Sequence, residues 1–198
     1  MANGGGDLPP LEFSQLCPDT NCGGFSCSNR EINKWFQRKA LKQHQSGAVV
    51  VTCVHERGHP QRPLGIYALA TVAEEVRSLP GAYHRFRQAD HFSALQLVWL
   101  ATDRGFTRRG LGELMVGQVI RTFAAVGRQI GLPHLIVIPA EQDYERLVQF
   151  YAKLGFATYR DGEAMFLPIQ SAVQAVEAEQ AELAAAAVPI ANPEPEGE

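Results

Sequence analysis

At 198 residues, with 45% hydrophobic and 20% charged residues, the chain has the composition of one well-buried globular domain and is too short for two ordinary ones. No apolar run reaches the roughly 20 residues of a membrane-spanning helix, and the opening MANGGGDLPP has no basic region before an apolar core, so a cytoplasmic protein without membrane contact is expected. The net charge of −3 hides an asymmetry: from Ser171 onward there are six Glu and no Lys or Arg, leaving 18 basic against 15 acidic residues before it.

In chain order, residues 1–10 are Gly- and Pro-rich and are read as disordered, residues 11–170 as the folded domain, and residues 171–198 as an Ala/Glu-rich acidic tail, helical at first and disordered at its end. Leu11 to Leu16 is a short strand. After the turn chemistry of PDTNCGG, the stretch FSCSNREINKWFQRKALKQH reads as one amphipathic helix. Ser28 or Asn29 is its N-cap, and Ile32, Trp35, Phe36 and Leu41 form its buried side. Lys34, Arg38 and Lys42 fall four apart on another face, a basic stripe suited to a polyanion or simply to water.

Cys17, Cys22, Cys27 and Cys53 lack the paired spacing of structural zinc and are read as reduced, partly buried thiols; no metal is expected. Ala48 to Val54 and Leu64 to Val72 are β-branched strands forming an antiparallel hairpin. The loop between them contains His55-Glu56-Arg57-Gly58-His59, which matches the pattern of zinc proteases. That chemistry needs both histidines on one helical face, and Gly58, Pro60 and Pro63 exclude a helix there. Glu74 to Ala94 reads as an irregular or short helical connection. Its basic residues Arg77, Arg85 and Arg87, interleaved with Tyr83 and Phe86, suit a solvated loop or a nucleic-acid contact.

The stretch Leu95 to Gly112, LQLVWLATDRGFTRRGLG, carries the strongest signal. It starts as a buried strand and ends in an Arg- and Gly-rich turn that opens a helix from Leu111 to Gly127, with Leu111, Leu114, Met115 and Val119 inward. The first amides of a helix lack internal partners and sit at the positive end of its dipole, so a strand feeding such a turn is a ready phosphate site. A strand at Leu135 to Ile138 follows. Asp143 caps the helix of DYERLVQFYAKLGF, with Leu147, Tyr151 and Leu154 on one side and Gly155 at its end. Short strands at Phe156 to Tyr159 and Ala164 to Leu167 close an α/β fold with a mixed sheet. By helical spacing alone, Tyr151 is a core tyrosine.

These pieces resemble the GNAT acyltransferases, in particular the toxins of type II toxin–antitoxin pairs. The frame Thr107-Arg108-Arg109-Gly110-Leu111-Gly112 resembles the family's acetyl-CoA motif, and Phe150-Tyr151-Ala152-Lys153-Leu154-Gly155-Phe156 resembles its second cofactor segment. Phe25-Ser26-Cys27-Ser28-Asn29, followed by Ile32, Lys34, Trp35 and Phe36, resembles the toxins' opening helix. The match departs at Thr107, where Gln or Arg is usual, at Trp99, where the toxins often have Arg, and at Ser28, which replaces Gly.

The resemblance implies the GNAT fold: a central, mostly antiparallel, twisted sheet, splayed at the acetyl-CoA site, with helices on both faces. It also implies acetyl transfer from acetyl-CoA to an amine. Leu100, Ala101 and Thr102 would line pantetheine, residues Thr107 to Gly112 the pyrophosphate, and Tyr151 would be the general acid. No carboxylate is an obvious base; Glu74 and Glu75 are weighed for it, with surface solvation as their other role. The implied acceptor is the amino acid on a charged tRNA, with Lys34, Arg38, Lys42, Arg77, Arg85 and Arg87 holding its backbone. The implied partner is a small ribbon-helix-helix antitoxin, and a homodimer is allowed. A GNAT acting on a small-molecule or protein amine is the second reading, and a non-enzymatic acetyl-CoA-binding module the third.

Overall fold

The computed structural model describes residues 8–75 and 91–186. Seven strands form one open sheet in the order β1-β2-β3-β4-β5-β7-β6. They are β1 Leu11–Gln15, β2 Val50–Glu56, β3 Pro63–Glu75, β4 His91–Thr102, β5 His134–Val137, β6 Ala157–Tyr159 and β7 Ala164–Pro168. All neighbours are antiparallel except β4 and β5, whose crossover is the helix α3, Leu111–Ile130. This is the mixed, mostly antiparallel sheet expected from the sequence. Glu74, Glu75 and residues 91–94, read there as an irregular connection, are strand: Glu74 pairs with Phe92 and Glu75 with His91.

Helices cover both faces. On one, α3 buries Leu111, Met115, Val116, Val119, Ile120 and Phe123, the stripe that a 3.6-residue period presents. The helix α4, Tyr144–Lys153, joins the same core through Tyr151. On the other, α1, Arg30–Arg38, buries Ile32, Trp35 and Phe36 against Val51, Ile66 and Ala68, each large side chain worth about 1.5–3 kcal/mol in transfer from water. Asn29 caps α1 by accepting from the amides of Glu31 and Ile32.

The single helix expected over residues 25–44 is in fact two. The chain kinks at Lys39 (φ −125°), and a second helix, α2, runs Ala40–Gln45. A continued helix would carry Lys39, four residues after Trp35 and three after Phe36, onto the buried side; at the kink Lys39 is exposed and Ala40 is buried. The domain boundary expected after residue 170 also falls inside a helix. α5, Ile169–Ala186, starts with Ile169 N–H donating to the Pro133 carbonyl at 2.9 Å and packs on α3 through Ala172. Arg121 of α3 reaches both carboxylate oxygens of Glu179 at 2.8 and 2.9 Å, an exposed pair worth under about 1 kcal/mol. No helix among the described residues is long and apolar enough to cross a membrane.

Candidate active site

The sheet opens in the middle of β4. Ala68 of β3 faces Trp99 whereas Leu69 faces Leu97, so Val98 is an extra residue, a β-bulge. The insertion reverses the side-chain alternation of the strand. Leu95 and Leu97 point into the core under α3, but Trp99 and Ala101 point to the α1 side, and Leu100 returns to the α3 side. On its other edge, β4 pairs with β5 only from Leu95 to Leu97, opposite Leu135 to Val137. Pro139, two residues past that last pair, has no N–H with which to continue a ladder. From Val98 to Thr102 the β5-side edge of β4 therefore faces no strand among the described residues. Leu100, Ala101 and Thr102 lie on this edge.

The chain leaves β4 through a tightly tied turn. The Asp103 carboxylate accepts from the amides of Gly105 (3.0 Å) and Ser26 (3.1 Å), Arg104 N–H donates to the Ser26 carbonyl (2.9 Å), and the Thr107 hydroxyl donates to the Arg104 carbonyl (3.1 Å). The Ser26 bonds fix the segment before α1 to the end of β4, and Cys27 and Asn33 exchange two hydrogen bonds, 2.8 and 3.0 Å, that hold it to α1. Arg108 sits at φ +60° and Gly110 at φ +79°, the left-handed region that only glycine enters freely. Gly110 is the N-cap of α3 and offers no side chain to its first amides. Thr107, Arg108, Arg109 and Gly110 are exposed, and the Arg109 guanidinium lies 5.2 Å from the centroid of the Phe106 ring. The N-terminal end of α3, with the positive end of its dipole, thus follows directly on two exposed arginines. The hydroxyl of Thr107 is spent on the turn itself.

Tyr151 approaches from α4. Its ring is edge-on to Phe150 (5.0 Å) and Phe156 (5.5 Å), it is only 6% exposed, and it shares a core with Leu97, Leu100 and Leu111. Its hydroxyl makes no hydrogen bond among the described residues, and burial pushes its pKa above the usual tyrosine value. A Cβ placed on Gly112 would stand 3.6 Å from Cζ of Phe150, so α4 seats directly on the first turn of α3. The glycine turn, the open edge of β4 and Tyr151 are therefore neighbours.

The other expected residues divide. Arg38 and Lys42 line one surface concavity of ≈ 490 Å³ with Thr20, Asn21, Cys22 and Gln37. Because α1 ends between them, they are not the single helical stripe read from the sequence, and Lys34 is exposed but outside the concavity. Arg77, Arg85 and Arg87 lie outside the described residues. Glu74 is not a base for this site. It sits opposite Phe92, eight residues from Leu100 and hence about 26 Å along the strand, and it pairs with Arg160 at 3.5 Å.

His55 is a buried strand residue bonded to the Ser14 hydroxyl at 3.0 Å, while His59 is exposed in the hairpin loop. The zinc-protease pattern is thus split between strand and loop. All four cysteines are free; burial raises the pKa of Cys22 and Cys27 and pushes Cys53 up to about 12, so these three are thiols at neutral pH. Among the described residues no three His, Cys, Asp or Glu side chains are grouped to hold a metal ion. The residue that sequence reasoning missed is Val98. The run LVWL carries no glycine or proline to announce a bulge.

A bulged central strand that parts from its parallel neighbour beside a glycine turn into a helix defines the GNAT fold. Solved structures share it over nearly their whole length. KacT, in a tyrosine-to-phenylalanine form, superposes with a TM-score of 0.76 at 22% identity, covering 84% of this chain and 99% of its own. AtaT complexed with acetyl-methionyl-tRNAfMet gives 0.73 at 20% identity, over 86% and 99%. An AtaT mutant toxin bound to acetyl-CoA and the C-terminus of the antitoxin AtaR gives 0.70 at 20%, over 84% and 98%. No protein-family model matches the sequence.

Proposed function

We propose that the chain is a GNAT acetyltransferase that moves the acetyl group of acetyl-CoA to the α-amine of an aminoacyl-tRNA, blocking translation. We read it as the toxin of a type II toxin–antitoxin pair, restrained by a small ribbon-helix-helix antitoxin. The observation that carries the chemistry is the Val98 bulge, which opens the β4 edge between an uncapped helix N-terminus and Tyr151. The substrate and partner readings are supported by the fold neighbours, AtaT with a charged tRNA and with AtaR, and KacTA with DNA.

The residues present fit acetyl-CoA. The first-turn amides of α3 after Gly110, with the exposed Arg108 and Arg109, would hold the pyrophosphate, and the open edge at Leu100, Ala101 and Thr102 would pair with pantetheine as with an added strand. Acetyl-CoA supplies an activated acyl group. A backbone N–H of Leu100 or Ala101 accommodates charge on the carbonyl oxygen. As the amine's C–N bond forms and the C–S bond breaks, the Tyr151 hydroxyl gives its proton to the departing sulfur and recovers one from solvent. Its raised pKa keeps that proton in place beforehand. The amine is the nucleophile in neutral form; an α-amine titrates near pH 8, so water suffices as base. Lys34, Arg38 and Lys42, with Arg77, Arg85 and Arg87, contact the tRNA backbone.

The test is incubation of the chain with acetyl-CoA and a pool of charged tRNAs, followed by mass spectrometry of the released aminoacyl groups. N-acetylated amino acids are expected. Thiol release only with polyamines or peptides would transfer the assignment to a small-molecule or protein acceptor, and binding without release would make the chain a non-enzymatic module.

A further inference from the structure

We infer that Trp99 sets the choice of acceptor: its indole walls the amine's side of the β4 opening and selects an aminoacyl group with a large apolar side chain. This rests on the acetyltransferase reading above.

The direction of Trp99 follows from the bulge. In an unbroken strand it would share the face of Leu95 and Leu97, beneath α3; with Val98 inserted it lies on the α1 side instead. The phosphate turn and α3 hold the donor from one side of β4. A nucleophile attacking a carbonyl held along this edge comes from the other, past Trp99. The residue lies just beyond the last β4–β5 pair, so no β5 residue is paired with it, and its β3 partner is the small Ala68.

The indole is held firmly. Trp35 of α1, itself 8% exposed, lies against it with centroids 5.6 Å apart and planes tilted by 37°. Trp35 is anchored by its Nε1–H donating to the Gln43 side-chain oxygen at 2.6 Å. One face of Trp99 is therefore backed by a fixed aromatic ring, while the residue remains half-buried, leaving surface for a ligand.

Among the described residues, Trp99 belongs to an apolar cluster, and the polar groups at the end of β4 are tied into the turn. Ala68 and Ala101 are apolar, and burial keeps the Cys27 thiol neutral. The Asn33 amide is engaged by Cys27, the Asp103 carboxylate by two amides, and the Arg104 Nε–H by the Cys27 carbonyl. Against the indole a charged aminoacyl side chain would give up water for an apolar surface, whereas an apolar one gains by that exchange.

The experiment measures kcat/KM with tRNAs charged with Phe, Met or Ile, with Gly or Ala, and with Asp or Lys, for the native chain and for Trp99→Ala and Trp99→Phe. The native chain should favour the first group. Trp99→Ala should cut it about tenfold or more, the scale on which an apolar pocket discriminates, while changing Gly and Ala less than about threefold and leaving the KM for acetyl-CoA unchanged. Trp99→Phe should retain most of the preference; Trp99→Gln, of similar length but polar, should lower it as alanine does and serves in place of the alanine variant if that one fails to fold. Equal losses for every acceptor, or a native preference for small or charged groups, would overturn the inference and leave the acetyltransferase reading intact. Absence of transfer to any aminoacyl-tRNA would overturn both.

Discussion

Phe156 donates its backbone N–H to the carbonyl of Tyr151 at 3.2 Å while the two rings lie 5.5 Å apart. With Gly155 N–H donating to the Ala152 carbonyl at 3.0 Å, this is a Schellman cap, complete with the apolar contact that accompanies it. The Tyr-x-x-x-Gly-Phe pattern has a mechanical meaning: the helix ends so that its closing device also clamps the proposed acid.

Replacing Gly155 should loosen that clamp. Gly155 stands at φ +90°, and an added Cβ would meet Leu167 only at an ordinary 3.5 Å, so the cost of Gly155→Ala is backbone strain, about 1–2 kcal/mol. Thermal denaturation should register that loss. In steady-state kinetics kcat should fall while the KM for acetyl-CoA holds, because the Gly110 turn is untouched; an unchanged kcat would separate the cap from the chemistry.

Tyr151→Phe removes one oxygen from a ring whose packing partners, Phe150 and Phe156, are untouched. Acetyl-CoA binding, followed by calorimetry, should be preserved, and turnover should drop roughly 10²-fold or more, the usual worth of a positioned acid. In the native chain the raised pKa means that the rate should show no decline through the pH range of an ordinary tyrosine near 10. Full turnover in the phenylalanine variant would return Tyr151 to the core.

Much of this was legible because glycines and apolar periods are local signals. Gly110 and Gly155 mark turns that need positive φ, and the α3 stripe shows at helical spacing. What was hidden depends on distant partners. Val98 becomes a bulge only because β3 and β5 dictate registers that the LVWL run does not encode. The helix breaks at Lys39 without a glycine or proline, at the position where an unbroken helix would carry a lysine onto the side of Trp35 and Phe36. The ends of β3 and β4, from Glu74 and His91, read as polar connection because each is a strand whose partner is the other. The same pairing removes Glu74 from the site, which no local pattern could foretell.

Arg38 and Lys42 share a concavity although they belong to different helices, so they should act on one stretch of polyanion. Alanine at either position should lower the slope of log K against log salt for charged tRNA by about one and weaken binding of all tRNAs alike. Fluorescence anisotropy across a salt series would measure this. The KM for acetyl-CoA should be unaffected, since neither residue lies on the Gly110 turn. An unaltered slope would confine tRNA contact to other residues.

His134 is a pH-sensitive support for the sheet. It opens β5, is 1% exposed, and lies edge-on to Phe92 and Phe166 at 5.2 and 5.3 Å. Burial lowers its pKa to about 4, against 6.5 when exposed. Between those values the unfolded chain binds a proton that the folded chain refuses, so stability falls as pH drops from 6.5 towards 4. At about 1.4 kcal/mol per pKa unit, the loss approaches about 3 kcal/mol and adds to whatever the carboxylates contribute. Urea melts of the native chain and of His134→Gln at pH 7 and pH 4.5 isolate the effect. The variant should be less stable at pH 7 yet lose less on acidification, whereas an equal loss in both would assign the acid sensitivity to carboxylates alone.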